Sequence, residues 1–136
     1  MLPSMHLLAN YLHLARASGM RRRPDVRDRL LVLAAVAAAY GSLDRIAAHC
    51  RRLVLEHNPR HMIGRWETVE TALSEEDFLH FLRHLERRYP LEQAERMLET
   101  LGLDLQNERN AYYSDEEYAA SLLNITQDRL TELFGE

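Results

Sequence analysis

Apolar residues recur at three- and four-residue steps along most of the 136-residue chain, which is the spacing of amphipathic helices. The pattern predicts a first helix over residues 2–17, a second over 24 to about 40, and a third over 43 to about 56. The second helix is apolar on all sides from Leu30 onward, so we expect it to be the central and most buried element. Gly41 is predicted to stop that helix and Ser42 to cap the next one.

Shorter periodic segments follow in the second half of the chain. Ser74 and Asp77 predict the start of a fourth helix, and Pro90 separates it from a fifth over residues 91–101, which Gly102 ends. The inward positions of the fifth helix should be Leu91, Ala94, Met97, Leu98 and Leu101.

The last third of the chain begins with a segment that lacks periodicity. Residues 103–113 are expected to form a loop. Ser114 and Glu117 then form a capping-box pair that opens a sixth helix to about residue 123. Asn124 suits the left-handed turn that follows, and Thr126 can cap a last helix.

These elements indicate an all-α fold, a single compact domain over residues 1–136 with six or seven short helices in an irregular or orthogonal bundle. Only five Gly and four Pro are present, too few for the turns of a sandwich or barrel. Cys50 is the only cysteine, which excludes a disulfide framework. The longest apolar run, residues 30–40, is short of the ~20 residues that span a membrane. We therefore expect no membrane contact and a cytoplasmic location.

All 17 basic residues are arginine, which favours a GC-rich and therefore bacterial source.

The charge is unevenly divided. The basic half, residues 1–60, has ten Arg and four acids, a balance of +6, whereas the acidic half, residues 61–136, has seven Arg and seventeen acids, a balance of −10. Such asymmetry suggests that the halves face each other, that copies of the chain associate, or that one half faces a charged partner.

The connection after the third helix, residues 57–66, is dense in Arg and His side chains that could bind a ligand. Arginines beside free helix-end N–H groups are what phosphate or carboxylate binding requires, and loops on a rigid scaffold often hold such sites. An alternative is a plain connector whose Trp66 and Met62 fill the core. The candidate ligand-binding residues are Arg51, His57, Arg60, His61, Arg65 and Trp66.

Metal binding and nucleophilic catalysis have weaker support. His80 and His84 share one helix face, Asp77 lies one turn before His80, and His57 and His61 offer a second pair. The face with His80 and His84 lies opposite the apolar stripe, however, and no repeated ligand spacing is present. Cys50 falls on the inward stripe of its helix, where a thiol is usually an inert apolar side chain. We therefore predict no metal, no cofactor and no catalytic residue.

Residues 117–133 resemble a helix-turn-helix unit, with small residues where the helices cross and Asn124 at the turn. Residues 114–136 carry six acids and one Arg, however, and phosphate contacts need several basic side chains. If nucleic acid is bound, the arginines between Arg16 and Arg29 suit it better.

These observations favour a non-catalytic bacterial interaction or regulatory module that acts through protein contacts and self-associates into a homo-oligomer. An enzyme is not excluded: the alternative is a small anionic-ligand-binding or metal-dependent enzyme that uses the 57–66 connection. A second alternative is nucleic-acid binding through the arginine-rich amino-terminal region, which the overall negative charge disfavours.

Overall fold

Three long helices form the body of the molecule. The computed structural model describes residues 3–136, so the predicted start of the first helix at Leu2 lies outside it. Helices α1 (Pro3–Met20), α2 (Pro24–Tyr40) and α3 (Asp44–His57) follow one another, and α2 packs against both α1 and α3. Every residue from 30 to 38 of α2 is buried. The structure confirms that this uniformly apolar helix is the central element.

Shorter helices cover the remaining sides of that body. A 3₁₀ turn precedes α4, and the short elements are Met62–Arg65 (3₁₀), α4 (Val69–Ala72), α5 (Glu76–Arg88), α6 (Leu91–Thr100), α7 (Leu105–Asn110), α8 (Asp115–Leu122) and α9 (Gln127–Phe134). Helices α6 and α8 pack on α1, α4 and α5 on α2, and α9 on α3. The buried apolar side chains join into one cluster, and no strand occurs within residues 3–136. The all-α prediction is confirmed.

The predicted number of helices is too low, because nine α-helices form within the described residues. Part of the difference is α7, which lies in the segment predicted to be a loop. Its N-cap is Asp104, whose Oδ1 accepts a hydrogen bond of 3.2 Å from the backbone N–H of Asn107. Because only Leu105 of α7 is buried, this mostly polar helix leaves no periodic apolar signal.

Helix α6 buries fewer residues than its pattern predicts. Ala94 and Leu98 are buried, but Leu91, Met97 and Leu101 are each between 37% and 39% exposed. The reason is that α6 packs mainly on α1, and a single neighbouring helix covers only a narrow stripe of its surface.

The predicted caps of the last two helices are confirmed, and the cap of α3 is not. Ser114 accepts a 3.1 Å hydrogen bond from the N–H of Glu117, Thr126 caps α9 in the same way, and Asn124 has a φ of 56°. At the junction of α2 and α3, Ser42 itself takes the left-handed conformation, with a φ of 60°. Its hydroxyl therefore does not cap α3, which begins at Asp44.

No helix within residues 3–136 combines the length and apolar character that crossing a bilayer requires.

The close packing around α2 makes a stability prediction. Ala35 is fully buried at the centre of α2, so we expect Ala35→Leu to crowd the neighbouring helices and to lower the free energy of unfolding by about 1–3 kcal/mol. Ala39→Leu, one turn further along at a half-buried position, is the matched control and should change stability by at most about 0.5 kcal/mol. Urea denaturation measures both, and equal stabilities of the two variants would contradict the close packing.

Candidate functional site

The two histidines of the predicted binding connection are used to attach it to the body of the protein. His57 donates a hydrogen bond from Nδ1 to Oδ2 of Asp28, a buried carboxylate on α2. His61 accepts a 3.1 Å hydrogen bond at Nδ1 from the N–H of Ile63 and so caps the 3₁₀ turn. Burial lowers the pKa of His61, although the negative charge of Asp28 acts in the opposite direction. The lowered pKa keeps the imidazole neutral in this capping role.

The remaining predicted binding residues lie in different surroundings. Arg60 is exposed, and Arg65 is exposed with an Nη1 only 3.7 Å from Oδ2 of Asp77. The indole of Trp66 packs edge-on against Phe78, with ring centroids 5.7 Å apart. The six residues therefore do not surround one ligand-sized space.

Arg51 connects this segment to a groove along α3. Its Nη2 donates a 2.8 Å hydrogen bond to the carbonyl of Trp66, and its side chain lines a groove of about 820 Å³. The α3 groove, as we call it, has an apolar floor and two charged walls. Its floor contains Ala48, Leu55, Val69 and Phe134.

The two walls of the α3 groove carry charges of opposite sign. Helix α3 supplies three arginines and two acids to one wall, a balance of +1: Arg45, Arg51, Arg52, Asp44 and Glu56. The segment around α4 supplies Glu67 and Glu70 to the other wall, a balance of −2. Among the described residues, no ion pair joins one wall to the other.

Two of the groove's arginines pair with acids that are not on the opposite wall. Arg52 pairs with Glu56 along α3 at 3.0 Å, and Arg45 forms a two-point contact with Glu116 of α8, with its Nε 3.0 Å from Oε2. Glu67 and Glu70 are exposed, and within residues 3–136 neither has a basic partner within 4.0 Å.

A second site combines residues that no sequence pattern connects. His13 on α1 and Tyr118 on α8 both hydrogen-bond to Oε1 of Glu108 on α7, at 2.8 Å and 3.1 Å. His13 is 9% exposed and Tyr118 is 1% exposed. Burial, followed by the neighbouring Glu108 carboxylate, raises the pKa of Tyr118, so its phenol stays protonated and donates to that carboxylate.

This cluster forms the floor of a pocket of about 840 Å³ between the carboxyl-terminal half of α1, α7 and α8. We call it the α1/α8 pocket. No sequence pattern indicates this pocket, because His13 and Glu108 are 95 positions apart and Glu108 lies in the segment predicted to be a loop. The Asp104 cap of α7 is the one local signal that could have placed Glu108 on a helix.

The lone cysteine lies in the core. Cys50 is fully buried, and burial raises the pKa of its thiol to about 12. The neighbouring His49 is also buried, and burial lowers the pKa of its imidazole. A protonated thiol without access to solvent cannot act as a nucleophile.

The paired histidines of α5 are at the surface. His80 and His84 are exposed, with their rings edge-to-face and 4.8 Å between centroids. Within the described part of the chain, no three His, Cys, Asp or Glu side chains are grouped so that they could hold a metal ion.

The pair α8 and α9 has the turn of a helix-turn-helix unit, with Asn124 at its centre and Leu130 buried beneath it. The exposed side of α9 carries Asp128 and Glu132, and Glu132 pairs with Arg129 at 3.0 Å. This acidic face would be repelled by a phosphate backbone.

Comparison with models of protein families, with curated proteins and with solved structures gives no match for this chain.

The contact between His57 and Asp28 makes a prediction about the connection. His57→Ala leaves the buried Asp28 carboxylate without its main hydrogen-bond donor, so the free energy of unfolding should fall by about 1–3 kcal/mol. The control His80→Ala removes an exposed imidazole and should change it by at most about 0.5 kcal/mol. Urea denaturation distinguishes them, and a harmless His57→Ala would show that the connection is not held by this contact.

The burial of Cys50 makes a second prediction. Iodoacetamide should leave the native thiol unmodified at mildly alkaline pH, because Cys50 is inaccessible and its pKa is about 12. The same reagent should modify the thiol fully in concentrated urea. Mass spectrometry measures both, and rapid modification of the folded protein would revive the idea of a reactive cysteine.

Proposed function

We propose that this protein is a non-catalytic interaction or regulatory module that acts through protein contacts and self-associates. The contact surface that we propose is the α3 groove, and its occupant is the α3 groove of a second copy. The all-arginine composition supports a bacterial source, and the cytoplasm is the compartment that we propose for this role.

The charge of the basic half is largely unpaired inside the chain, and this supports a partner outside it. Among the described residues, Arg45 is the one arginine of the basic half whose ion pair reaches the acidic half. Three of the ten arginines in residues 1–60 have an acidic partner within 4.0 Å, namely Arg27, Arg45 and Arg52. Among the described residues, direct pairing between arginines of the basic half and acids of the acidic half is therefore limited to Arg45 and Glu116.

The observation that carries the proposal is the α3 groove, with walls of opposite charge that do not pair with each other. In a twofold dimer each surface patch meets the same patch of its partner. The arginine wall of one copy can then face the Glu67 and Glu70 wall of the other. The apolar floor between the walls supplies the desolvated centre that a stable interface needs. Arg51, one of the predicted binding residues, becomes part of this contact.

Charge reversal on each wall tests the proposal. Arg52→Glu or Glu70→Arg should each weaken self-association about tenfold, because each change places like charges opposite each other at two symmetric positions. The double variant exchanges these two charges between the walls and so restores opposite charges at that position, and its dissociation constant should return toward that of the wild type. Sedimentation velocity measures these constants, and wild-type association should weaken as salt is raised.

Arg83→Glu and Arg87→Glu are matched controls, because both reverse exposed arginines on α5 that do not line the groove. They should associate like the wild type. A wild-type chain that stays monomeric at every protein and salt concentration contradicts the proposal, as does a double variant weaker than either single one. In that case a different protein would be the better occupant of the α3 groove.

A further inference from the structure

The α1/α8 pocket has the form of a small-molecule site. Its volume of about 840 Å³ is within the range of about 300–1,000 Å³ that is common for ligand pockets. The walls are mainly apolar, with Leu101, Leu103 and Leu122 among them, and the polar groups converge at the floor and the rim. This combination of an apolar surface with a few placed polar groups is typical of ligand sites.

The floor of the pocket is electrostatically satisfied. Glu108 is the one acid among the lining residues, and its Oε1 already accepts hydrogen bonds from His13 and Tyr118. His13 and Tyr118 therefore hold this carboxylate in place and screen its charge. Tyr112 packs against the ring of Tyr118, with centroids 5.3 Å apart, and covers that side of the floor.

The rim carries two arginines that have no acidic partner within the described part of the chain. Arg16 and Arg21 line the pocket from the carboxyl-terminal end of α1, and both are exposed. Among the described residues, neither guanidinium has an acidic partner within 4.0 Å. Met20 lies between them in the sequence, is 77% exposed and also lines the pocket. An anion at the rim would gain charge-assisted hydrogen bonds while its apolar portion covers the leucines.

We propose that the α1/α8 pocket binds a small organic anion, with an apolar body over the leucine walls and a carboxylate or phosphate head between Arg16 and Arg21. Because the two arginines lie at the rim, the anionic head points outward and the apolar body points inward, which fixes the orientation of the ligand. This site is separate from the α3 groove, with which it shares no lining residue.

Three matched probes test the proposal: 2-naphthoate, 2-naphthyl phosphate and the neutral 2-naphthalenemethanol. Wild-type protein should bind both anions saturably and at least tenfold more tightly than the neutral compound, measured by titration calorimetry. The stronger of the two anions identifies the head group, carboxylate or phosphate.

Two variants separate the site from general charge attraction. Arg16→Gln with Arg21→Gln should weaken anion binding at least tenfold and leave the neutral probe unchanged. Arg22→Gln with Arg23→Gln is the control, because it removes the same charge from neighbouring exposed arginines that do not line the pocket. This control should bind like the wild type.

Filling the pocket gives an independent measurement. Ala111 is exposed at the end of α7 and lines the pocket, so Ala111→Trp should occupy the space and abolish binding of all three probes. Circular dichroism checks that the variant folds. If the variant does not fold, the arginine variants, which change only exposed side chains, still test the proposal. The proposal is overturned by wild-type protein that binds no probe saturably, by equal binding of the neutral and anionic probes, or by equal losses in both arginine pairs.

Discussion

The structure depends on one constraint, which is that α2 has no polar face from residue 30 to residue 38. A helix that is apolar on all sides from residue 30 to residue 38 must be covered on all sides. One antiparallel partner cannot do this, and the chain surrounds α2 with α1, α3, α4 and α5. The alanines of α2 let those helices approach closely. Helices α6 and α8 then pack on α1, and α9 packs on α3. Their positions therefore depend on the helices that cover α2.

The elements that the sequence predicts well are those with a strong local cause. The burial of α2 follows from its composition, and the caps at Ser114 and Thr126 follow from side-chain hydrogen bonds that need only neighbouring residues. The elements that were predicted wrongly depend on distant contacts. Leu91, Met97 and Leu101 look inward on a helical wheel, yet α6 has little surface beside α1 to bury them against. Helix α7 is short and mostly polar, and the periodicity of apolar residues cannot reveal it.

The same distinction applies to the candidate sites. The 57–66 connection was predicted to bind a ligand because its histidines and arginines are close together in the sequence. Closeness in sequence does not make side chains converge in space. His57 reaches Asp28 on α2 and His61 caps its own turn, so both imidazoles serve the attachment of the connection. The cluster of His13, Glu108 and Tyr118 is built from three helices. Its assembly requires α7 and α8 to pack near α1, which no local pattern in the sequence encodes.

The distribution of charge links the fold to the proposed roles. Packing around α2 buries apolar surface from both halves of the chain, but it brings few arginines of the basic half to the acids of the other half. The contact between Arg45 and Glu116 is the exception, and it fastens α3 to α8. Exposed ion pairs contribute little to stability, so leaving the remaining charges unpaired lowers the stability of the fold very little. Charges that the fold leaves unpaired stay available for ligands and for other chains. Such charges lie beside apolar surface at two places, the Glu67 and Glu70 wall of the α3 groove and the rim of the α1/α8 pocket. Binding at either place therefore uses groups that the hydrophobic core does not need.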